Sequence, residues 1–242
     1  MKLCNSYQLT LKIFQIGLKQ IIRDGMLFVL LPAPFLIGLF IKFFLPLINI
    51  IVEKQLYLSL VPYYGLIDGF LICMTPLFTA MVCSFILLEE RDEGIVSFYQ
   101  ITPASSYSYL AARIGIPMLW AFSVTIITLL LFNISGLNFW VILITSFIST
   151  LAGLFMAMLV VSLAGNRVEG LALSKLIAVS LLGIFIIWFV PSPYHFLSAF
   201  LPSFWIGKIL MEGPNIFVFT LAALICFIWI TFFTKKFLKR IA

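Results

Sequence analysis

The side chains able to move protons or bind cations are unevenly placed along the chain. Glu89, Glu90, Asp92 and Glu93 crowd around Arg91. Asp68 stands alone in a long apolar run, six residues after Pro62, about 9 Å of helix rise. A carboxylate in such a run needs protein or water beside it. His195 is the only histidine, in the string Pro191-Ser192-Pro193-Tyr194-His195. One histidine without a paired cysteine or carboxylate makes neither a metal site nor a catalytic triad. Cys4, Cys73, Cys83 and Cys226 show no CxxC spacing, and three of them fall in apolar runs, where a thiol serves as a small core residue. HExxH and GxSxG are absent. So is GxxxxGK[ST], so the chain has no usual loop for cradling ATP phosphates. The chemistry that remains is charge pairing and partner recognition around Glu90, plus one isolated acid.

The elements that must position these groups are membrane helices. The chain is 63% hydrophobic and 10% charged, with mean hydropathy +1.20. A soluble domain is about half apolar and about a quarter charged. A water-exposed surface cannot be built from this composition, so lipid must cover much of the exterior. The expected fold is an all-α integral membrane protein forming a single transmembrane domain over residues 1–242. Residues 7–23 place Gln8, Lys12, Gln15, Lys19 and Arg23 opposite Leu11, Phe14, Leu18, Ile21 and Ile22. That pattern predicts an amphipathic helix lying in the membrane interface. Six apolar runs follow, each near the roughly 20 residues needed to span. They cover about 25–48, 60–88, 110–132, 139–164, 171–190 and 216–233. The segment 191–215 is Pro-rich yet partly apolar and reads as a short re-entrant outer hairpin before span 6. No cleavable signal peptide is evident.

Orientation follows from the basic residues. With the N-terminus inside, the chain's Lys and Arg fall on the cytoplasmic side except Lys42, Lys54 and Lys208. Both termini are therefore expected in the cytoplasm. The net charge of +6 reads as a topology signal. No basic patch with interleaved aromatics lies outside the spans, which argues against nucleic acid as a partner.

The charged stretch opens the loop between spans 2 and 3, over residues 89–105. Ile95, Phe98, Tyr99 and Thr102 recur at helical spacing. Asp92 and Glu93 sit where they would favour a helix N-terminus. Pro103 would end that helix at Thr102, and Ser105 or Ser106 would cap the helix into span 3. A solvated charged loop is the plainer reading.

The string Glu89-Glu90-Arg91-Asp92-Glu93-Gly94, followed by Thr102-Pro103-Ala104-Ser105 between spans 2 and 3, resembles the permeases of ABC-2 type transporters, small six-span bacterial exporters in particular. The interfacial helix, the six spans and the element before span 6 match that family's architecture. Arg113 answers to a basic residue common near the start of its span 3. The resemblance implies that this loop is a coupling helix docked into a groove on a separate cytoplasmic ABC ATPase. Glu90, Glu93 and Gly94 would shape its entry, Ile95, Phe98, Tyr99 and Ile101 would face the ATPase, and Thr102 and Pro103 would end it. The loop 166–170, with Arg167 and Glu169, would lie near the same partner or simply anchor the topology. ATP and Mg would bind the ATPase, and no cofactor would bind this chain. A second permease chain, identical or a sibling, would complete the pathway in the bacterial cytoplasmic membrane.

Three further residues carry open alternatives. Asp68 would line an exit path, or else bond backbone groups or pair with Lys42. Phe204 and Trp205, in an aromatic stretch of 196–211, would form an outer gate or rest at the membrane surface. The function implied is export of a hydrophobic or amphipathic substrate, such as a drug, antimicrobial peptide or lipid-like molecule. The alternative is an ATP-independent channel, secondary transporter or scaffold, which would need functional ionisable groups deep in the spans.

Overall fold

The computed structural model describes the backbone of residues 2–95 and 106–241 and the side chains of 10–95 and 108–239. Among the described residues there are helices and no strands. Six helical stretches are long and apolar enough to cross a membrane: Gly25–Leu56, Val61–Asp92, Ser108–Phe132, Phe139–Leu163, Arg167–Phe189 and Ile216–Lys239. These are spans 1 to 6. The protein is a multi-pass, all-α membrane protein.

Spans 2 and 4 form the centre, with 83% and 72% of their apolar windows buried, against 6% for span 1. Their sequences allow this closeness. A Cβ on Gly153 would lie 2.8 Å from the Pro76 carbonyl oxygen, so the two backbones nearly touch. Pro76 lacks an N–H and leaves the Ile72 carbonyl without its helical donor. The Ser149 hydroxyl of span 4 donates to that oxygen at 2.9 Å. A freed backbone group in an apolar setting is costly unless re-bonded, so one contact both tolerates the proline and fixes the helix pair.

The N-terminal helix, Lys2–Arg23, packs against spans 2 and 3. Ile13, Gly17 and Ile21 face the bundle, and Leu18 and Ile22 are exposed. The bundle is met through the stripe Ile13, Gly17 and Ile21, where Gly17 permits a close approach that larger side chains would block. Asp24 then caps the first turn of span 1, accepting from the backbone N–H groups of Met26 at 2.9 Å and Leu27 at 3.3 Å.

Span 2 runs a turn past its expected end. Its helix extends through Asp92, and Gly94 follows with φ of +72°, a left-handed conformation suited to glycine. Glu89 to Asp92 therefore lie on the last turn of span 2. The helix into span 3 resumes at Ser106. The expected coupling residues Phe98, Tyr99, Ile101, Thr102 and Pro103 lie outside the described residues.

Before span 6, a 3-10 turn at Tyr194–Ser198 leads into a helix at Pro202–Glu212. This helix packs on span 5, where Gly183 and Gly207 let the two backbones meet. Ser203 donates to the Ser180 carbonyl at a break in span 5. Phe204 is fully buried and Trp205 is buried, with its indole N–H donating to the Ala199 carbonyl at 2.7 Å. Of the two readings open for these aromatics, the buried positions speak against a rest at the membrane surface. Phe196 and Phe200 are the exposed ones.

Candidate functional site

The side chains of the run Glu89 to Asp92 reach three different elements, spans 3, 4 and 5. Glu90 is 1% exposed and faces span 3. Both of its oxygens are engaged by Arg113, which donates from Nε to Oε2 at 3.1 Å and from Nη2 to Oε1. Tyr109 donates its hydroxyl to the same Oε2 at 2.6 Å. The third arm of the guanidinium, Nη1, donates to the Ile13 carbonyl of the N-terminal helix at 3.1 Å. A fork geometry of this kind suits arginine and not lysine.

Local sequence explains how these groups meet. Tyr109 and Arg113 are four apart, hence on one helix face. Residues Ala111–Gly115 form a π-helical turn, with the Ile116 N–H bonded to the Ala111 carbonyl. Such turns insert an extra residue and re-aim side chains. On the N-terminal helix, Gly17 sits one turn after Ile13, and a Cβ there would collide with Arg113 Nη1. Glycine at that position admits the guanidinium.

A second cluster surrounds Arg167 at the start of span 5. It pairs with Asp24 at the head of span 1 and with Glu89 Oε2 at 3.1 Å. Its backbone N–H donates to Asp92 Oδ2 at 2.8 Å. Asp92 thereby puts a carboxylate at a helix N-terminus, the favourable polarity. Arg167 and the backbone of Met26 and Leu27 hold the Asp24 carboxyl below the usual carboxylate range, with the Arg167 hydrogen bond the largest cause. Arg91 points to span 4 and donates to the carbonyls of Val161 and Ala164 in its last turn, as a cation at a helix C-terminus should. Asn166 caps span 5 by accepting from the Glu169 N–H at 2.8 Å, and Glu169 reaches back to the Gly165 N–H.

The last turn of span 2 is thus a hub. It is bonded to the N-terminal helix through Arg113 and directly to the starts of spans 3 and 5 and the end of span 4. Asp24, bridged by Arg167, brings in span 1. The described chain leaves this hub at Ile95 and resumes at Ser106, three residues before Tyr109. Glu90 belongs to the hub as a buried ion-pair partner. Gly94 supplies the turn out of it. Ile95 is half-buried and Glu93 is exposed. Tyr109 and Asp24 were not singled out by sequence, and Arg167 was expected near the partner or as a topology anchor, not as the ion-pair partner of Asp24 and Glu89. The available signal was charge at the ends of apolar runs, where each ion requires a partner.

Asp68 lies at the other end of the bundle. It is buried and accepts from the Ile134 N–H at 3.2 Å, the Ser135 N–H at 2.9 Å and the Ser135 hydroxyl. It therefore holds the loop between spans 3 and 4. Lys42, its expected ionic partner, instead donates to the Leu131 carbonyl. His195 is half-buried, its ring 4.5 Å from Phe196 and 5.7 Å from Phe204. The hub and the aromatic stretch are separate regions.

Residues 17–234 match the model of a family described as Fluoroquinolones export permease protein Rv2686c-like. Two relatives named fluoroquinolones export permease proteins, from Mycobacterium tuberculosis strains H37Rv and CDC 1551, are each 24% identical over 190 residues. The similarity covers 77% of this chain and 75% of each relative. No solved structure matches. The matched span contains Gly17, Glu90, Arg113 and Arg167, so the whole hub lies within it. The chain belongs to the Rv2686c-like fluoroquinolones export permease family.

Proposed function

We propose that this chain is the membrane-spanning subunit of an ATP-driven exporter of the ABC-2 kind, carrying a hydrophobic or amphipathic substrate out across the bacterial cytoplasmic membrane. The end that carries the hub faces the cytoplasm, with both termini. A separate ABC ATPase, holding ATP and Mg, docks on the segment 95–105, and a second permease chain completes the pathway. The observation that carries this reading is the hub. The Glu90 carboxylate, two residues before the end of span 2, is locked to Tyr109 and Arg113 at the start of span 3. A displacement of the segment is then passed to span 2, span 3 and the N-terminal helix together. The export reading is supported by the relatives, which are named fluoroquinolones export permease proteins. The ATP-independent alternative asks for ionisable groups free to titrate within the spans. Asp68 is instead bonded by three donors to the loop between spans 3 and 4.

The test is Phe98→Asp in the full chain. A charge placed in a packed docking groove is strongly unfavourable. The variant is expected to insert normally and to lose co-purification with the ATPase. Undiminished co-purification would reject the docking role of the segment.

A further inference from the structure

A cavity of about 230 Å³ lies where the N-terminal helix, span 1, span 2 and span 3 meet. Its walls include Phe14, Ile21, Val82, Ile86, Pro117 and Trp120. Leu18 and Trp120 border it and are exposed, so it is reached from the membrane side of the bundle. One strongly polar side chain enters this apolar space, and an unbonded hydroxyl lies in a void beside it. Arg113 lines it, and the guanidinium has five N–H donors. Nε, one Nη1 hydrogen and one Nη2 hydrogen are used by Glu90 and Ile13, which leaves two N–H groups on a buried side chain. A void of about 10 Å³ adjoins the cavity, sharing Leu31, Thr79 and Trp120 as walls, and is lined by Thr75. The Thr75 hydroxyl is buried and bonds nothing.

Size and charge narrow the ligand. An apolar cavity of about 150 Å³ takes benzene, and drug-sized sites begin at about 300 Å³. The space therefore fits two rings, short of a whole lipid chain. Arg113 is already neutralised by Glu90, so a ligand carboxylate would bring an uncompensated charge beside Glu90 in a low-dielectric setting. A neutral acceptor carries no such penalty and satisfies the spare N–H groups.

We propose that this cavity binds a compact, neutral, two-ring aromatic molecule with one carbonyl, its rings against Phe14 and Trp120 and its oxygen on Arg113. The site joins the ligand directly to the buried pair at the hub. Nothing in it depends on the ATPase, so it stands or falls apart from the docking role of the segment.

Benzophenone is a suitable probe, being a neutral diaryl ketone whose carbonyl is also its photoreactive centre. The full chain is placed in lipid nanodiscs, irradiated with benzophenone, and its labelled peptides are mapped by mass spectrometry. Saturable labelling is expected on peptides carrying Phe14, Ile86 or Trp120. 2-Acetylnaphthalene should compete at least about tenfold better than 2-ethylnaphthalene, the value of one hydrogen bond to a charged donor, and 2-naphthoate should compete worse than the ketone. Val82→Phe, which fills the cavity, should remove the saturable labelling. The competition series needs only the unaltered chain, so it decides even if that variant fails to fold. Equal competition with and without the carbonyl would overturn the proposal. So would unsaturable labelling spread equally onto the exposed Phe40 and Phe44 of span 1.

Discussion

Replacing Arg113 by methionine strips Glu90 of two of its three side-chain hydrogen bonds and leaves a carboxylate that is 1% exposed. Tyr109 alone would still donate to it. Breaking a buried pair by removing one partner costs about 3–5 kcal/mol. For a chain of this size about 2–4 °C of melting temperature is lost per kcal/mol, so Arg113→Met is expected to melt about 6–20 °C lower. Glu90→Met leaves the guanidinium unpaired and should fall by a similar amount. The double variant Glu90→Met with Arg113→Met removes both charges. It still orphans the Tyr109 hydroxyl, which costs about 1–3 kcal/mol. The double should therefore melt higher than either single variant, with a coupling between the two positions of about 3 kcal/mol or more. The assay is the monodisperse fraction of detergent-purified full chain after heating, read by size-exclusion chromatography. Additive losses in the double variant would refute the pairing argument.

Four further outcomes follow from the same geometry. Gly17→Ala should loosen the N-terminal helix, since its Cβ collides with Arg113 Nη1. The overpacking cost of about 1–3 kcal/mol should exceed the helix-propensity gain of about 1 kcal/mol, and faster proteolysis after Lys12 or Lys19 would report it. Gly153→Ala should destabilise by about 1–3 kcal/mol, because the new Cβ meets the Pro76 carbonyl at 2.8 Å, and a lower melting temperature would show it. Asp68→Asn keeps one acceptor but aims an amide N–H₂ at backbone donors, so it should cost about 1–3 kcal/mol of stability and leave the pH profile of transport unchanged. Asp24 gives a pH signature. Its folded carboxyl titrates below the ordinary 3.8, chiefly through the Arg167 hydrogen bond. The stability this provides is present above the unfolded value and is lost as pH falls through the folded one. The difference in melting temperature between the unaltered chain and Arg167→Gln should therefore hold steady from neutral pH to about pH 5 and shrink below about pH 4.

The hydropathy runs predicted all six spans, because twenty-odd apolar residues admit few other structures in this composition. The ends were less legible. Span 2 continues through Asp92 because every charged side chain on its last turn finds a partner there, and those partners lie far away in sequence. No local pattern announces that Glu90 faces Arg113 while Glu89 faces Arg167. Asp68 bonds backbone groups, one of the readings open for it, but those of the loop between spans 3 and 4, and it does not pair with Lys42, for a related reason. Backbone N–H groups of an irregular loop satisfied the acid, and such donors leave no trace in residue type. The aromatic character of Phe204 and Trp205 left an outer gate and a rest at the membrane surface both open, and it did not reveal how deeply they are buried. The small residues Gly183 and Ser203, which let their helix sink against span 5, decided the matter instead.

The central claim is that this permease works with a separate ATPase, and affinity purification of the chain from its native membrane, with identification of the bound proteins, tests it most directly. The account predicts a nucleotide-binding ATPase in near-stoichiometric amount, lost on Phe98→Asp. A homo-oligomer carrying no ATPase, under conditions that preserve membrane complexes, would contradict it.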